Sequence, residues 1–69
     1  MLKGFLGKKS YIRLKNDYSY RGILETVDPQ MNMTLKQAIE YKKDEETVNF
    51  GTVLIRGNNV LFVSLEDVQ

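Results

Sequence analysis

The sequence contains no cysteine and no histidine. Without cysteine, neither a disulfide framework nor a thiolate metal site can stabilise the chain. No apolar run approaches the roughly 20 residues that a membrane-spanning helix needs, and the residues after Met1 do not form a signal-peptide pattern. We therefore expect a protein of the nucleus and also of the cytoplasm, with no membrane association.

The motifs of catalysis are missing as well. The sequence has no Gly-rich phosphate-binding loop, and Asp28 is distant along the chain from the acidic residues 44–46. Neither segment has the spacing of metal ligands or of paired catalytic carboxylates. The sequence therefore predicts a protein that is not an enzyme and that uses no cofactor or metal.

A chain of 69 residues makes one small domain. A domain of this size buries only about 60% of the surface that its unfolded chain exposes, so its stability alone should be marginal. With disulfides excluded, oligomerisation is the remaining common way to stabilise it.

The net charge is only +1, but it is unevenly distributed. Residues 1–21 contain six basic residues and one acidic residue, a net charge of +5, whereas residues 22–69 contain four basic and eight acidic residues, a net charge of −4. This asymmetry favours one face that attracts phosphate, although a solvated surface with scattered charges is an equal alternative.

The hydrophobic pattern predicts a mostly β protein. Apolar and polar residues alternate as in half-buried strands, and the second strand is long enough that Gly22 in its middle should mark a sharp bend or bulge. Leu2, Phe5 and Leu6 have the spacing of a short helix, which Gly7 can end. The predicted elements are a helix in residues 1–7, strands in 10–15, 18–27, 31–41, 50–55 and 59–65, and a charged loop in 42–47.

The last two strands are continuously apolar rather than alternating, which implies burial on both faces. A strongly bent five-stranded antiparallel barrel has only one interior, so the outer side of these strands needs another cover. A neighbouring subunit would provide it, since an uncovered apolar edge strand is an aggregation site. The candidate subunit-interface residues are Val53, Leu54, Ile55, Val60, Leu61, Phe62 and Val63.

Two polar segments stand where one apolar run ends and the next begins. The first, residues 28–32, offers the carboxylate of Asp28 and the amides of Gln30 and Asn32. The second, residues 55–59, offers the guanidinium of Arg56, a glycine, and two more amides. Taken singly, each could be an ordinary turn. If the fold brings them together, they form a small polar pocket suited to a nucleic-acid base and its phosphate.

These segments resemble the two signature motifs of the Sm/LSm family. The first motif is similar to residues 12–35, with Gly22 and Asp28-x-x-Met31-Asn32-Met33-x-Leu35. The second is similar to residues 50–63, with Ile55-Arg56-Gly57-Asn58-Asn59 at its centre. Within the family the residues look most like the Sm F branch and its Sm-like counterpart. By resemblance, residues 1–69 are a single Sm domain: a helix in 1–7, the first signature in 8–41, a variable loop in 42–48 and the second signature in 49–65.

The resemblance implies an Sm fold, a small barrel of the SH3-like or OB-like kind. It also implies a ring, usually of seven subunits, that joins the fourth strand of one subunit to the fifth of the next and binds uridine-rich single-stranded RNA at its inner rim. Asn32 would read the base, Arg56 would stack on it, and Gly57 would let the loop approach the RNA. Asp28 would orient the first loop, and Asn58 lies beside these residues.

One position departs from the family pattern. Gln30 stands where an aromatic residue or histidine commonly stacks on the base. Stacking on an aromatic ring is worth about 1–3 kcal/mol per base, and an amide should supply less. Binding by this subunit alone is therefore expected to be weak.

By resemblance the expected role is a core subunit of spliceosomal small nuclear ribonucleoproteins. The alternatives are an Sm-like ring that acts on U6 RNA ends or in messenger RNA decay, and a homomeric Sm-like ring. A small-barrel protein-interaction module without RNA contact is the competing class. The sequence does not decide between one chain type and several in the ring.

Overall fold

The computed structural model describes residues 2–66, without the side chains of residues 2 and 48–50. Five strands follow a 3₁₀ turn at Leu2–Phe5: β1 (Lys9–Leu14), β2 (Tyr18–Val27), β3 (Met33–Lys42), β4 (Glu45–Ile55) and β5 (Val60–Leu65). A second 3₁₀ turn, Gly57–Asn59, joins β4 to β5. Within residues 2–66, no helix has the length and apolar character needed to cross a membrane.

The strands form one antiparallel sheet in the order β4-β3-β2-β1-β5. The two continuously apolar strands are thus the two edges of the sheet. A strand at the edge of a sheet presents unpaired backbone groups along one side, which another strand can use. The predicted pairing of subunits through these two strands is therefore sterically open.

The sheet bends where its register shifts. Arg21 pairs with Ile39 and Ile23 with Lys36, so Gly22 lies opposite two residues of β3. One of these is Gln37, which has a positive φ of 55°. A side chain on Gly22 would place its Cβ 3.0 Å from the Lys36 carbonyl oxygen and 3.1 Å from the Ala38 Cα. The predicted bulge at Gly22 is confirmed, and only glycine fits it without a shift of β3.

The core lies on the concave side of the bent sheet. It consists of buried hydrophobic side chains from four strands, with Phe5 packed against it from the N-terminal turn. The alternation in β1 is as predicted, since Ile12 and Leu14 are buried while Tyr11 and Arg13 point to the other side. The buried hydrophobic residues are Ile12, Leu14, Leu24, Met33, Leu35, Ala38 and Ile55.

The N-terminal helix is shorter than predicted and is of another type. The structure has a 3₁₀ turn at Leu2–Phe5, and Gly7 follows it with a φ of 77°. Phe5 packs on the core, but Leu6 is exposed. So short a segment cannot offset the cost of nucleating an α-helix, and the tighter 3₁₀ turn is the usual outcome.

The prediction of a charged loop over residues 42–47 is wrong. β3 runs to Lys42 and β4 begins at Glu45, which leaves a two-residue turn of Lys43 and Asp44. Both turn residues have positive φ, 52° and 70°, as in the hairpin turns that match the twist of the flanking strands. The Thr47 hydroxyl also donates to the Glu40 carboxylate at 2.6 Å, which ties the two strands together.

Candidate RNA-binding site

The first polar loop folds around the carboxylate of Asp28. Its Oδ1 accepts hydrogen bonds from the backbone N–H groups of Gln30 and Asn32, each at 2.9 Å. The backbone N–H of Asp28 donates to the Asn32 carbonyl oxygen at 3.0 Å. Met31 has a φ of 70°, which turns the chain back on itself. These hydrogen bonds to Asp28 therefore hold the loop in its folded conformation.

The side chain of Asn32 links the two polar loops. Its Nδ2 donates to Asp28 Oδ2 at 3.1 Å, and its Oδ1 accepts from the backbone N–H of Gly57 at 2.8 Å. These partners fix which end of the amide is oxygen and which is nitrogen. One N–H and one oxygen lone pair remain for a ligand. A donor beside an acceptor can pair with a nucleic-acid base edge that carries both kinds of group.

Hydrogen bonding also fixes the charge of the loop. The Asn32 side chain first, and then the backbone N–H groups of Asn32 and Gln30, lower the pKa of Asp28 below its ordinary value. Asp28 is therefore ionised at neutral pH. Because its pKa is lowered in the folded chain, ionised Asp28 stabilises the loop fully above the ordinary carboxyl pKa. This stabilisation is lost as the pH falls through the lowered pKa.

Gly57 is packed directly against the first loop. A Cβ built on it would fall on the carbonyl oxygen of Gln30 and lie 2.8 Å from the carbonyl carbon of Met31. The close contact places the Gly57 N–H within reach of Asn32, so a side chain here would break both the packing and the hydrogen bond. A hydrogen bond from Lys15 N–H to the Asn59 carbonyl oxygen, at 2.9 Å, anchors the far side of the second loop.

The two loops line an open cavity of about 210 Å³. Its lining consists of four side chains that were predicted from the sequence to bind RNA, namely Gln30, Asn32, Arg56 and Asn58. Arg56 and Gln30 are exposed at the rim. Within residues 2–66, Arg56 forms no ion pair with a carboxylate. The structure thus brings together the predicted residues, while the contact of each with RNA stays a prediction.

The predicted interface residues divide into three groups. Leu54 is 63% exposed, Leu61 58% and Phe62 49%, all on the edge strands. Val53, Val60 and Val63 are half-buried against the core of their own chain. Ile55 is only 2% exposed and belongs to that core. Its assignment to the interface is therefore wrong, because the inward side of β4 alternates with the outward side even within an apolar run.

Residues 1–65 match the LSM domain family. This chain is a member of that family. The LSM complex subunit lsm6 of Schizosaccharomyces pombe is 44% identical over 66 residues, which are 96% of this LSM chain and 88% of that protein. The U6 snRNA-associated Sm-like protein LSm6 of Mycosarcoma maydis is 40% identical over 63 residues, 91% of this chain and 74% of that protein. These relatives are LSm6 proteins rather than Sm F proteins.

Solved structures confirm the Sm fold. The Sm protein of Pyrococcus abyssii, determined in complex with a uridine heptamer, superimposes with a TM-score of 0.89 at 31% identity, covering 94% of this LSM chain and 92% of that one. A heptameric archaeal Sm protein superimposes with a TM-score of 0.86 at 33% identity and covers 96% of both chains. The strongly bent antiparallel sheet predicted from the sequence is thus the fold of this family.

Proposed function

We propose that this LSM chain is a subunit of a ring that binds uridine-rich single-stranded RNA at its inner rim. One observation carries the proposal: the Asn32 amide is held between Asp28 and Gly57 with one donor and one acceptor left for a base. Arg56 stands beside it at the rim of the cavity. The uridine heptamer bound by the Pyrococcus abyssii relative supports the choice of RNA.

Among rings of this kind, the named relatives support a U6 snRNA-associated LSm complex acting in the nucleus. This was the alternative at the level of the sequence, where a core subunit of spliceosomal ribonucleoproteins was expected first. The chain would then be one of several types in the ring, and it would bind and position RNA without catalysing a reaction.

A homomeric ring of seven copies is the second candidate. It is favoured by the heptameric archaeal Sm protein, which this chain covers almost completely. Both candidates use the same edge strands and the same cavity, so only the composition of the assembly distinguishes them.

The mass of the intact assembly tests both candidates. We expect the tagged chain, purified from the cells that make it, to appear by native mass spectrometry in a seven-subunit ring that gains the mass of an added uridine heptamer. Arg56→Ala should weaken that binding by about tenfold, because a stacking side chain is lost. An adenosine heptamer serves as the control for base preference. A lone chain that is indifferent to uridine would contradict the proposal.

A charged substitution on β4 tests the proposed assembly. Leu54→Asp should break the ring into small, poorly soluble species, because a buried carboxylate without a partner is strongly unfavourable at an apolar contact. Size-exclusion chromatography with light scattering measures the change. Leu6→Asp is the matched control, since Leu6 is also exposed but lies outside both edge strands. Full assembly of Leu54→Asp would show that β4 is not the contact.

A further inference from the structure

The convex side of the sheet carries a second group of aromatic and charged side chains. Tyr11 points away from the core, and the register pairs it with Arg21 on β2. Arg21 pairs in turn with Ile39 on β3, two residues from Tyr41. These residues come from three strands, so their proximity depends on the strand register. This is why the sequence alone did not single them out.

Arg21 is held in place on three sides. Its guanidinium carbon lies 5.2 Å from the ring centroid of Tyr11 and 5.2 Å from that of Tyr41. Its Nε donates to the Glu66 carboxylate at 3.2 Å. The side chain nevertheless remains 45% exposed. Arg21 is thus a pre-oriented cation with donors open to solvent, and such a fork is well suited to a carboxylate.

A groove of about 390 Å³ runs beside Arg21. Ile23 and Ile39 give it an apolar floor, and Lys9 adds a second cation. Gln37 also lines it, at the bulge opposite Gly22 where the two strands fall out of register. The groove therefore combines an apolar surface with two cations, one of them paired with the Glu66 carboxylate that also lines it. With Glu66 displaced, this surface is the complement of an acidic peptide that also carries apolar side chains.

Glu66 indicates which anion the groove accepts. It follows β5, and its backbone N–H donates to the Lys9 carbonyl oxygen at 2.9 Å, which brings its carboxylate to Arg21. The chain thus already places a carboxylate on this guanidinium. We propose that the groove binds an acidic peptide segment of a partner protein, whose carboxylate takes the place of Glu66 on Arg21 while an apolar side chain rests on Ile23 and Ile39.

The groove stays open when the chain assembles through its edge strands. Its lining residues within the described part of the chain come from β1, β2 and β3, the three inner strands of the sheet, apart from Glu66, which directly follows β5. It also shares no lining residue with the cavity around Asn32. Peptide binding and RNA binding should therefore be separable, and the failure of one would not imply the failure of the other.

Binding of a labelled hexapeptide of alternating aspartate and leucine, followed by fluorescence anisotropy with the assembled full-length protein, tests the proposal. Arg21→Gln should weaken binding by about tenfold, the effect of one charge-assisted pair. Arg13→Gln is the matched control. Arg13 lies on the same face and contacts Tyr11 and Asp44, but it does not line the groove, so its substitution should change binding by less than about twofold.

Glu66→Gln should change the peptide affinity in the opposite direction, which distinguishes the proposed contact from misfolding of Arg21→Gln. Removal of the competing carboxylate should tighten peptide binding by about threefold, which a general loss of structure cannot do. Asn32→Ala should leave the peptide affinity unchanged. Equal losses in Arg21→Gln and Arg13→Gln, or no gain in Glu66→Gln, would overturn the proposal. Displacement of the peptide by a uridine heptamer would also overturn it. So would equal binding of a control hexapeptide in which asparagine replaces each aspartate.

Discussion

Asn32→Ala is expected to reduce the affinity for a uridine heptamer by at least about a hundredfold when every subunit of the ring carries it. The substitution removes the donor and acceptor that face the base, and it also leaves the Gly57 N–H and one Asp28 oxygen without their partner. A site built to hydrogen-bond its ligand loses most when those groups are left unpaired. Fluorescence anisotropy with labelled oligouridine measures the loss.

The control for Asn32→Ala is Asn59→Ala. Asn59 belongs to the second loop and is exposed, but its side chain does not line the cavity. Asn59→Ala should bind the uridine heptamer as the native chain does. The ring must stay intact in both variants, which native mass spectrometry verifies. If Asn32→Ala binds normally in an intact ring, Asn32 does not read the base, and the observation that carries the proposed function is lost.

The strands were predictable because one side of the sheet is packed and the other is not. In β1 the buried Ile12 and Leu14 alternate with the half-exposed Tyr11 and Arg13, a pattern that only a strand produces. Gly22 was predicted to bend β2 because the chain there has no side chain, and the close approach of β3 confirms the reason. Where local chemistry and tertiary packing agree, the sequence is sufficient.

The hairpin between β3 and β4 could not be predicted in this way. The acidic stretch Asp44-Glu45-Glu46 has the composition of a solvated loop, yet Glu45 and Glu46 pair with Lys42 and Tyr41 on β3. The side chains of residues 42–47 are exposed, so no core contact imposes a pattern on them. Backbone pairing and a two-residue turn determine the strands here, and amino-acid composition predicts neither of them.

The candidate site was predictable in its residues but not in its contacts. Asp28, Asn32 and Arg56 were singled out as polar groups at loop positions, and the structure brings them together. The hydrogen bond between Gly57 and Asn32 spans 25 residues, and it depends on how β3 and β4 pair. No local pattern encodes such a contact. For the same reason Ile55 was counted among the interface residues. Its side chain is buried in the core, whereas the neighbouring Leu54 side chain is exposed.

The link between the two loops makes Gly57 intolerant of a side chain. Gly57→Ala should lower the free energy of unfolding by about 2–3 kcal/mol, because the new Cβ meets backbone atoms of Gln30 and Met31 that cannot rotate away. For a domain of this size that corresponds to a decrease in Tm of roughly 10–20 °C. Thermal unfolding followed by circular dichroism measures the change. RNA binding should fall as well, since the second loop must move away from Asn32.

Gly4→Ala is the matched control for Gly57→Ala. Its Cβ would meet no atom within 4 Å, so its Tm should stay within about 2–4 °C of the native value, in keeping with a surface substitution of at most about 0.5 kcal/mol. A Gly57→Ala chain that melts like Gly4→Ala would mean that the loops separate at little cost. The Asn32 amide would then be held by Asp28 alone, and the base-reading geometry would form only when RNA arrives, not before.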